Sequence, residues 1–193
     1  MSYVEILLAR HGETDWSASG RHTGHTDVPI TDDGREQARA LGRRLAGHSF
    51  ELVLSSPLQR ARETCELAGL GEHALLRDEL MEWDYGAYEG LTTPQIRERV
   101  PGWTVWTHPV LDGETGEQVG VRTDRVISEL AGSSGDCVVF AHGHVLRVLG
   151  ARWLGLPPAD GALLALNTAT LSVLGYERER RVVRLWNDGS HLR

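Results

Sequence analysis

A short buried strand is predicted near the start of the chain, and it ends in residues that can hold and attack a phosphate group. Val4 and residues 6–8 are apolar, and Arg10, His11 and Gly12 follow them directly. Ligands of open α/β sheets bind just beyond the carboxyl ends of strands, so this arginine and imidazole would stand at such a position. An Arg-His pair alone is more often structural than functional, so the rest of the chain has to decide.

Two further predicted strands lead to residues of the same chemical kind. Residues 52–54 lead into a helix that carries Arg60 one turn inside it, and residues 136–141 end at His142. Strand-to-helix junctions also offer free backbone N–H groups and the positive end of a helix dipole, which favour anions. Two arginines and two histidines in one crevice would bind a phosphate dianion through charge-assisted, bidentate contacts.

The elements that must position these residues alternate along the chain, which predicts an α/β fold. Strands alternating with helices favour a three-layer α/β/α sandwich around a mostly parallel central sheet. The predicted helices run from Thr31 to Gly47, from Ser56 to Gly69, near 94–100, over 117–130, and from Val145 to Gly155. In the second of these helices, Ser56 is the predicted N-cap and Pro57 occupies the first helical position. The other predicted strands are a short one near Leu75 and Leu76 and three in the tail, at 163–166, 170–174 and 182–186; residues 15–31 are predicted to be a loop. The chain contains no linker or repeat, which predicts a single domain over residues 1–193.

The composition is that of an ordinary folded protein and excludes several function classes. The chain has 193 residues, 40% of them hydrophobic, and a net charge of −7, so wholesale binding to nucleic acid or to an anionic membrane is not expected. All 20 basic residues are arginine. The absence of lysine excludes Schiff-base catalysis and the lysine of a Walker-type phosphate loop.

Cysteine usage and hydropathy indicate a protein of the cytoplasm. Cys65 and Cys137 are the only cysteines, and both lie in segments predicted to be buried, where cysteine acts as a small apolar residue. The sequence shows no signal peptide and no apolar run of membrane-spanning length. We therefore expect no disulfide framework and a cytoplasmic location.

Four segments of the chain, in order, resemble the motifs of the histidine phosphatase superfamily, the phosphoglycerate mutase-like proteins. They are residues 8–14 (Leu-Ala-Arg-His-Gly-Glu-Thr), 55–64 with the second arginine, 82–90 with an acidic residue, and 141–144 (Ala-His-Gly-His). A lone Arg-His-Gly would be weak evidence, but four ordered segments spanning nearly the whole chain are strong. The resemblance implies the phosphoglycerate mutase-like fold.

The resemblance also implies roles for five residues in a phosphoryl transfer. His11 would be the nucleophile and would form a phosphohistidine, while Arg10, Arg60 and His142 would neutralise the phosphoryl oxygens. Glu82 would protonate the leaving alkoxide and then accept a proton from the hydrolytic water. No metal and no other cofactor would be needed, because the arginines supply the positive charge that Mg²⁺ supplies elsewhere.

Further residues match segments that line the substrate pocket in the family. Two of them depart from the family pattern: Ser17 stands where asparagine is common, and His144 stands where mutases often have asparagine. Trp103, Trp106 and His108 lie in an irregular segment expected to cover the pocket. The candidate substrate-binding residues are Thr14, Ser17, Thr23, Gly24, Tyr85, Gly143 and His144.

The phosphoryl acceptor separates two enzyme hypotheses. Mutases of the family carry a long insertion with a lysine and paired arginines, whereas residues 91–121 here contain neither. This favours a phosphatase with water as acceptor; the alternative is a cofactor-dependent phosphoglycerate mutase. Among phosphatases, the chain is similar to actinobacterial acid phosphatases and to the sugar-bisphosphatase branch, which implies a small phosphorylated metabolite, such as a sugar phosphate, as the partner.

Two hypotheses of other classes remain open. The fold could serve a non-catalytic phosphate-binding module, although the presence of both His11 and Glu82 argues against it. His142 and His144, with His22 and His25, could bind a metal, but they lack the spacing of a known metal site. The family resemblance also implies a possible homodimer.

Overall fold

The computed structural model describes residues 4–193, and its strands form one sheet. The predicted single domain covers residues 1–193, and the first three of these lie outside the described residues. The single domain stays a prediction. The strands are β1 (Ile6–Arg10), β2 (Leu52–Ser55), β3 (Ala74–Leu76), β4 (Cys137–Ala141), β5 (Leu171–Glu177) and β6 (Arg180–Asp188). The helices are α1 (Asp15–Ala18), α2 (Asp32–Leu45), α3 (Gln59–Leu67), α4 (Thr93–Arg99), α5 (Gly116–Ala131) and α6 (Gly143–Trp153), and short 3₁₀ turns include Pro158–Leu163.

The sheet order brings the chemistry-bearing strand ends side by side. The order is β3-β2-β4-β1-β5-β6, in which β3, β2, β4 and β1 are parallel and β5 and β6 form an antiparallel hairpin beside β1. Arg10 at the end of β1 is opposite Ala141 at the end of β4. His11 and His142 therefore leave neighbouring strands at the same edge of the sheet.

The sheet is covered by helices on both faces, which confirms the predicted α/β/α sandwich. One face packs α2 and α3 against alternate strand residues such as Leu7 and Val138, which are buried with Leu41 and Cys65. The other face packs α5 and α6 against the intervening residues, Leu8 among them. Because both faces are buried, β4 is apolar along its whole length, as parallel strands usually are. None of the helices in the described part is long and apolar enough to cross a membrane.

Two predicted starts of helices have different outcomes. Thr31 caps α2 as predicted, with its side-chain oxygen accepting a hydrogen bond from the Gly34 N–H at 3.0 Å. Ser56 does not cap α3, which begins at Gln59 after Leu58, so Arg60 is its second residue instead of one turn inside. The Ser56 hydroxyl accepts a hydrogen bond from the Leu58 N–H at 3.3 Å, before the helix begins, and it is also hydrogen-bonded to a histidine ring that follows β4.

The predicted strand at residues 163–166 was wrong. Its first residue ends the 3₁₀ turn Pro158–Leu163, and the rest passes the end of β1, which already pairs with β4 and β5 on its two edges. Its carbonyl groups bind side chains instead of a strand: Leu166 accepts from Arg10 and Ala165 accepts from Trp186. The other two tail strands are present as predicted, as β5 and β6, and the structure pairs them in an antiparallel hairpin.

The predicted loop at residues 15–31 contains one helical turn, α1, which the prediction did not include. Thr14 and Ser17 form a capping box: each side chain accepts a hydrogen bond from the other's backbone N–H. This local pairing stabilises a turn too short to show a hydrophobic period in the sequence. The remainder of the loop stays irregular.

The loop after β1 touches the start of α2 backbone to backbone, and Gly34 makes this contact possible. A Cβ on Gly34 would lie 2.3 Å from the Glu13 carbonyl oxygen, and a Cβ on Gly12 would lie 2.4 Å from the Gly34 oxygen. We expect Gly34→Ala to lower the free energy of unfolding by about 3 kcal/mol, because two backbones would have to separate. Urea unfolding measures this change.

The matched control is Gly132→Ala, at the end of α5. Its φ is −85°, and a Cβ there would meet no atom closer than 3.5 Å. The control should change the free energy of unfolding by less than about 0.5 kcal/mol. Equal stabilities of the Gly34→Ala and Gly132→Ala proteins would contradict this account of the contact.

Candidate active site

The His11 ring is held with one nitrogen free at the cavity. The residue follows β1 and is only 4% exposed, and its Nδ1 lies 2.7 Å from the Gly12 carbonyl oxygen. A carbonyl oxygen can only accept a hydrogen bond, so Nδ1 carries the proton of the neutral ring. Nε2 therefore keeps its lone pair, which is the form an attacking imidazole needs.

The surroundings of His11 also keep its ring uncharged. Burial lowers the pKa of His11 well below its ordinary value, and the nearby Arg60 and Arg10 guanidinium groups lower it further, against a smaller opposing effect of the hydrogen bond to Gly12. The free lone pair on Nε2 is thus available at neutral pH.

Arg10 presents an unused hydrogen-bond donor at the same place. Its Nη1 donates to the Leu166 carbonyl at 2.6 Å, but its buried Nε has no partner. A Cβ on Gly143 would lie 3.3 Å from the Arg10 Cζ, so the guanidinium packs closely against the first residue of α6. A buried donor without a partner is costly, and an anion next to His11 would satisfy it.

A line of hydrogen bonds joins Arg60, His142 and Ser56 beneath this position. Arg60 Nε donates to His142 Nδ1 at 3.0 Å, so the neutral ring must carry its proton on Nε2, which lies 2.8 Å from the Ser56 hydroxyl. Burial and the adjacent Arg60 lower the pKa of His142 well below its ordinary value. The His142 ring centroid is 5.2 Å from that of His11.

The rest of the Arg60 guanidinium binds the loop after α1. Its Nη groups donate to the carbonyl oxygens of Thr23, Gly24 and Thr26 at 2.8–3.2 Å. Gly24 is in turn held from the other side, because its N–H donates to the Glu89 carboxylate. The loop that forms one wall of the cavity is therefore attached to the start of α3.

The Glu82 carboxylate lies at the N-terminus of α6. It is 5% exposed, and it accepts hydrogen bonds from the backbone N–H groups of Trp83, His144 and Val145 at 2.8–2.9 Å. Two of these donors belong to the first turn of α6, so the N-terminus of this helix holds the carboxyl group in place. Glu82 is therefore fixed at the strand-end edge that also carries His142.

Arg122 fixes the segment that carries Glu82. From α5, its guanidinium donates to the carbonyl oxygens of Glu79, Met81 and Glu82 and forms two hydrogen bonds with the Glu114 carboxylate. Sequence reasoning missed this arginine, because no local motif surrounds it and its partners lie far away in the chain. It acts on Glu82 through the backbone.

The rings of Tyr85, His144 and His22 form another part of the cavity wall. The Tyr85 hydroxyl lies 2.5 Å from His144 Nδ1, and burial raises the pKa of Tyr85 well above its ordinary value. Tyr85 therefore stays protonated and donates, which leaves the proton of His144 on Nε2. Burial also lowers the pKa of His144, and that of His22 to about 4, so both rings are neutral.

The structure places eight of the twelve predicted site residues on the cavity wall. Four others are buried behind it: Arg60 and His142 beneath His11, Gly24 against Glu89, and Thr14 as the cap of α1. The eight on the wall are Arg10, His11, Ser17, Thr23, Glu82, Tyr85, Gly143 and His144, joined by Gly20, Arg21, His22, Arg147 and Leu166, which the prediction lacked.

The histidines of the metal-binding hypothesis include two that have other partners. Both ring nitrogens of His142 are hydrogen-bonded, and His25 lies 3.9 Å from Asp84. Within residues 4–193 no group of three or more histidine, cysteine or acidic side chains is arranged to hold a metal ion. The two tryptophans of the segment predicted to cover the pocket pack against residues of the cavity wall: Trp103 contacts His22, and Trp106 contacts His144.

Comparison with known proteins decides the family. The profile of the histidine phosphatase superfamily (branch 1) matches residues 6–189, which is nearly the whole chain. The chain belongs to the histidine phosphatase superfamily. Its sheet with covering helices is the phosphoglycerate mutase-like fold that the four motifs predicted.

Relatives of this histidine phosphatase include proteins named as phosphatases. An acid phosphatase of Mycobacterium tuberculosis is 46% identical over 89% of this chain and 86% of its own length. A sedoheptulose 1,7-bisphosphatase of Saccharomyces cerevisiae is 35% identical over 78% of this chain and 67% of its own. The structure of a mycobacterial glucosyl-3-phosphoglycerate phosphatase with VO3 has a TM-score of 0.87 and 29% identity, covering 96% of this chain and all of that one.

The neutral histidines of the site predict how stability depends on pH. Burial lowers the pKa values of His11, His22, His142 and His144 in the folded state. Above about pH 6.5 these rings are neutral in both states, whereas below it the unfolded chain binds protons that the folded chain does not. We expect the free energy of unfolding to fall by up to about 1.4 kcal/mol per pH unit for each of these histidines as the pH drops toward 5.

Urea unfolding between pH 5 and 8 measures this slope. His22→Gln should reduce the slope below pH 6.5, since it removes one such ring, while His73→Gln, at an exposed histidine, should keep the wild-type slope. A wild-type stability that rises as the pH falls from 6.5 would contradict this assignment of neutral rings.

Proposed function

We propose that this histidine phosphatase hydrolyses small phosphorylated metabolites through a phosphohistidine at His11. The observation that carries the proposal is the pairing of His11 Nε2, which has a free lone pair, with the partnerless Nε of Arg10 at the same cavity. One group is prepared to attack phosphorus and the other to bind its oxygens.

The first step transfers the phosphoryl group from substrate to enzyme. His11 Nε2 attacks phosphorus and forms an N–P bond, while the P–O bond to the leaving alkoxide breaks. The Glu82 carboxyl group gives its proton to that alkoxide. The hydrogen bond from Nδ1 to Gly12 favours the positive charge that develops on the ring.

The second step returns the enzyme to its starting state. Glu82, now a carboxylate, takes a proton from a water molecule as the water oxygen attacks phosphorus. The N–P bond breaks, its electron pair returns to His11 Nε2, and inorganic phosphate leaves. Atoms and charges balance without any other reactant.

The charge of the transferring group would be stabilised by fixed guanidinium groups. Phosphoryl transfer passes through a loose transition state whose negative charge is spread over three oxygens, so positioned cations are the main source of acceleration. Arg10 lies at the cavity, the His142 ring centroid is 5.2 Å from that of His11, and Arg60 is hydrogen-bonded to His142. This supply of positive charge is our reason for proposing that the reaction needs no metal ion.

Water, not a second hydroxyl group, is the acceptor in this proposal. Residues 91–121 bring no arginine pair to the cavity: Arg97 is bound to the Trp103 carbonyl, and Arg99 is exposed on α4. The names of the three relatives reported above support hydrolysis, and two of those names specify phosphorylated sugar compounds. We propose sugar phosphates as the substrate class on this support.

Replacement of His11 tests the nucleophile. His11→Ala should lower phosphate release from p-nitrophenyl phosphate and from sugar phosphates by at least about a thousandfold, because the N–P bond cannot form. The protein is dialysed against EDTA before the assay, and the wild-type enzyme should keep its full activity. His73→Ala, at an exposed surface histidine, is the matched control.

Other outcomes of that assay separate the alternatives. Activity retained by His11→Ala would contradict the nucleophile, and wild-type activity lost to EDTA would contradict metal independence. A wild-type enzyme that interconverts phosphoglycerates without releasing phosphate would be a mutase. One that binds phosphate and performs neither reaction would be a binding module.

The dependence on the leaving group tests Glu82. Glu82→Gln should lower the kcat for alkyl phosphates by about a hundredfold or more, but that for p-nitrophenyl phosphate by about tenfold or less, because the aryl oxide leaves without a proton. The glutamine oxygen can still accept two of the three backbone hydrogen bonds. A purely structural effect would lower both rates equally, and that result would contradict the acid role.

A further inference from the structure

The cavity wall carries more positive charge than a single phosphoryl group requires. Three arginines line it, Arg10, Arg21 and Arg147, against one carboxylate, that of Glu82. The two outer histidines of the wall, at 22 and 144, are neutral because burial lowers their pKa values. The surplus is notable in a chain whose net charge is −7.

The phosphoryl group at His11 accounts for only part of this charge. A phosphate dianion carries about two negative charges near neutral pH, and the guanidinium groups of Arg10 and Arg60 beside His11 already balance them. Arg21 and Arg147 are therefore left over on the part of the wall beyond this position. Neither forms an ion pair within residues 4–193.

Arg147 is held rigidly with donors to spare. Its Nε and Nη2 donate to the carbonyl oxygens of Gly161 and Ala162, and its Cζ lies 4.5 Å from the centroid of the Trp106 ring. Its Nη1 makes no hydrogen bond to any residue that the structure describes. Burial lowers the pKa of Arg147.

Arg21 complements it from the loop at the cavity mouth. Its backbone is fixed, since its N–H donates to the Trp16 carbonyl at 2.9 Å and the residue forms a β-bridge with Thr92. Its side chain is exposed and has no hydrogen bond or ion pair in the described part of the chain. Because its backbone is fixed and its guanidinium group has no such contact to give up, Arg21 can bind a ligand without breaking another interaction.

We propose that Arg21 and Arg147 bind a second anionic group, a phosphate or a carboxylate, on the substrate whose scissile phosphoryl group lies at His11. This inference rests on the proposed function and narrows its substrate class to compounds with two anionic groups. Guanidinium groups suit both kinds of anion, because each can donate two parallel hydrogen bonds to them.

Inhibition of p-nitrophenyl phosphate hydrolysis measures binding to the second site, whether or not the inhibitor is itself turned over. Fructose 1,6-bisphosphate is compared with fructose 1-phosphate and fructose 6-phosphate, and 3-phosphoglycerate with glycerol 3-phosphate. The wild-type enzyme should bind a doubly anionic compound about tenfold more tightly than its singly anionic counterparts, since one charged hydrogen-bonded contact contributes about that factor. The preference should weaken as salt is added.

Variants then assign the preference to the two arginines. Arg21→Gln should reduce the ratio of the inhibition constants toward one, and Arg147→Gln should do the same. Arg147 also contacts Trp106, so the result for Arg147→Gln is used only if its thermal unfolding matches that of the wild type. If it does not, the result for Arg21→Gln alone tests the second anionic site. Arg99→Gln removes an exposed arginine that does not line the cavity and should keep the wild-type ratio.

Each result has one meaning. A ratio near one in the wild type, or a ratio unchanged in Arg21→Gln, would overturn the second anionic site while leaving the phosphatase intact. A preference for the bisphosphate alone would assign the site to phosphate, and one for 3-phosphoglycerate alone would assign it to carboxylate. No hydrolysis of p-nitrophenyl phosphate or of the sugar phosphates would overturn the proposed function, and this inference with it.

Discussion

The buried charge of Arg60 is the constraint on which the rest of the site depends. Its side chain has no exposed surface, and within residues 4–193 it forms no ion pair. A charge taken out of water must be solvated by the protein, and here the His142 ring and three loop carbonyls do so. The fold therefore has to bring α3, β4 and the loop after α1 together around one guanidinium group.

This arrangement also determines the state of both histidines. The Arg60 N–H bond fixes the tautomer of His142, and its charge helps lower the pKa values of His142 and His11. The site thus combines cations with neutral imidazoles. In this account, an anionic phosphate complements the charge of the cations, and the proposed nucleophile is kept unprotonated.

The residues predictable from sequence are those with a local signal. The ends of β1 and β4 were predictable because a buried apolar run stops at a polar residue, and Thr31 because its cap is adjacent to its helix. Arg122 and Arg147 gave no such signal, since they act on carbonyls of distant segments. The strand predicted at 163–166 failed for a related reason: its run of apolar residues is typical of a strand, but both edges of β1 are occupied, so its carbonyl groups bind Arg10 and Trp186.

The most direct test of the account is to trap the covalent intermediate. Wild-type protein is mixed with substrate, quenched in alkali to preserve phosphoramidate bonds, digested and analysed by mass spectrometry. The account predicts one phosphoryl group on His11, on the Nε2 atom, and none in protein quenched in acid, where the N–P bond hydrolyses. Rapid phosphate release without any phosphorylated His11 peptide, or with the group on another residue, would contradict it.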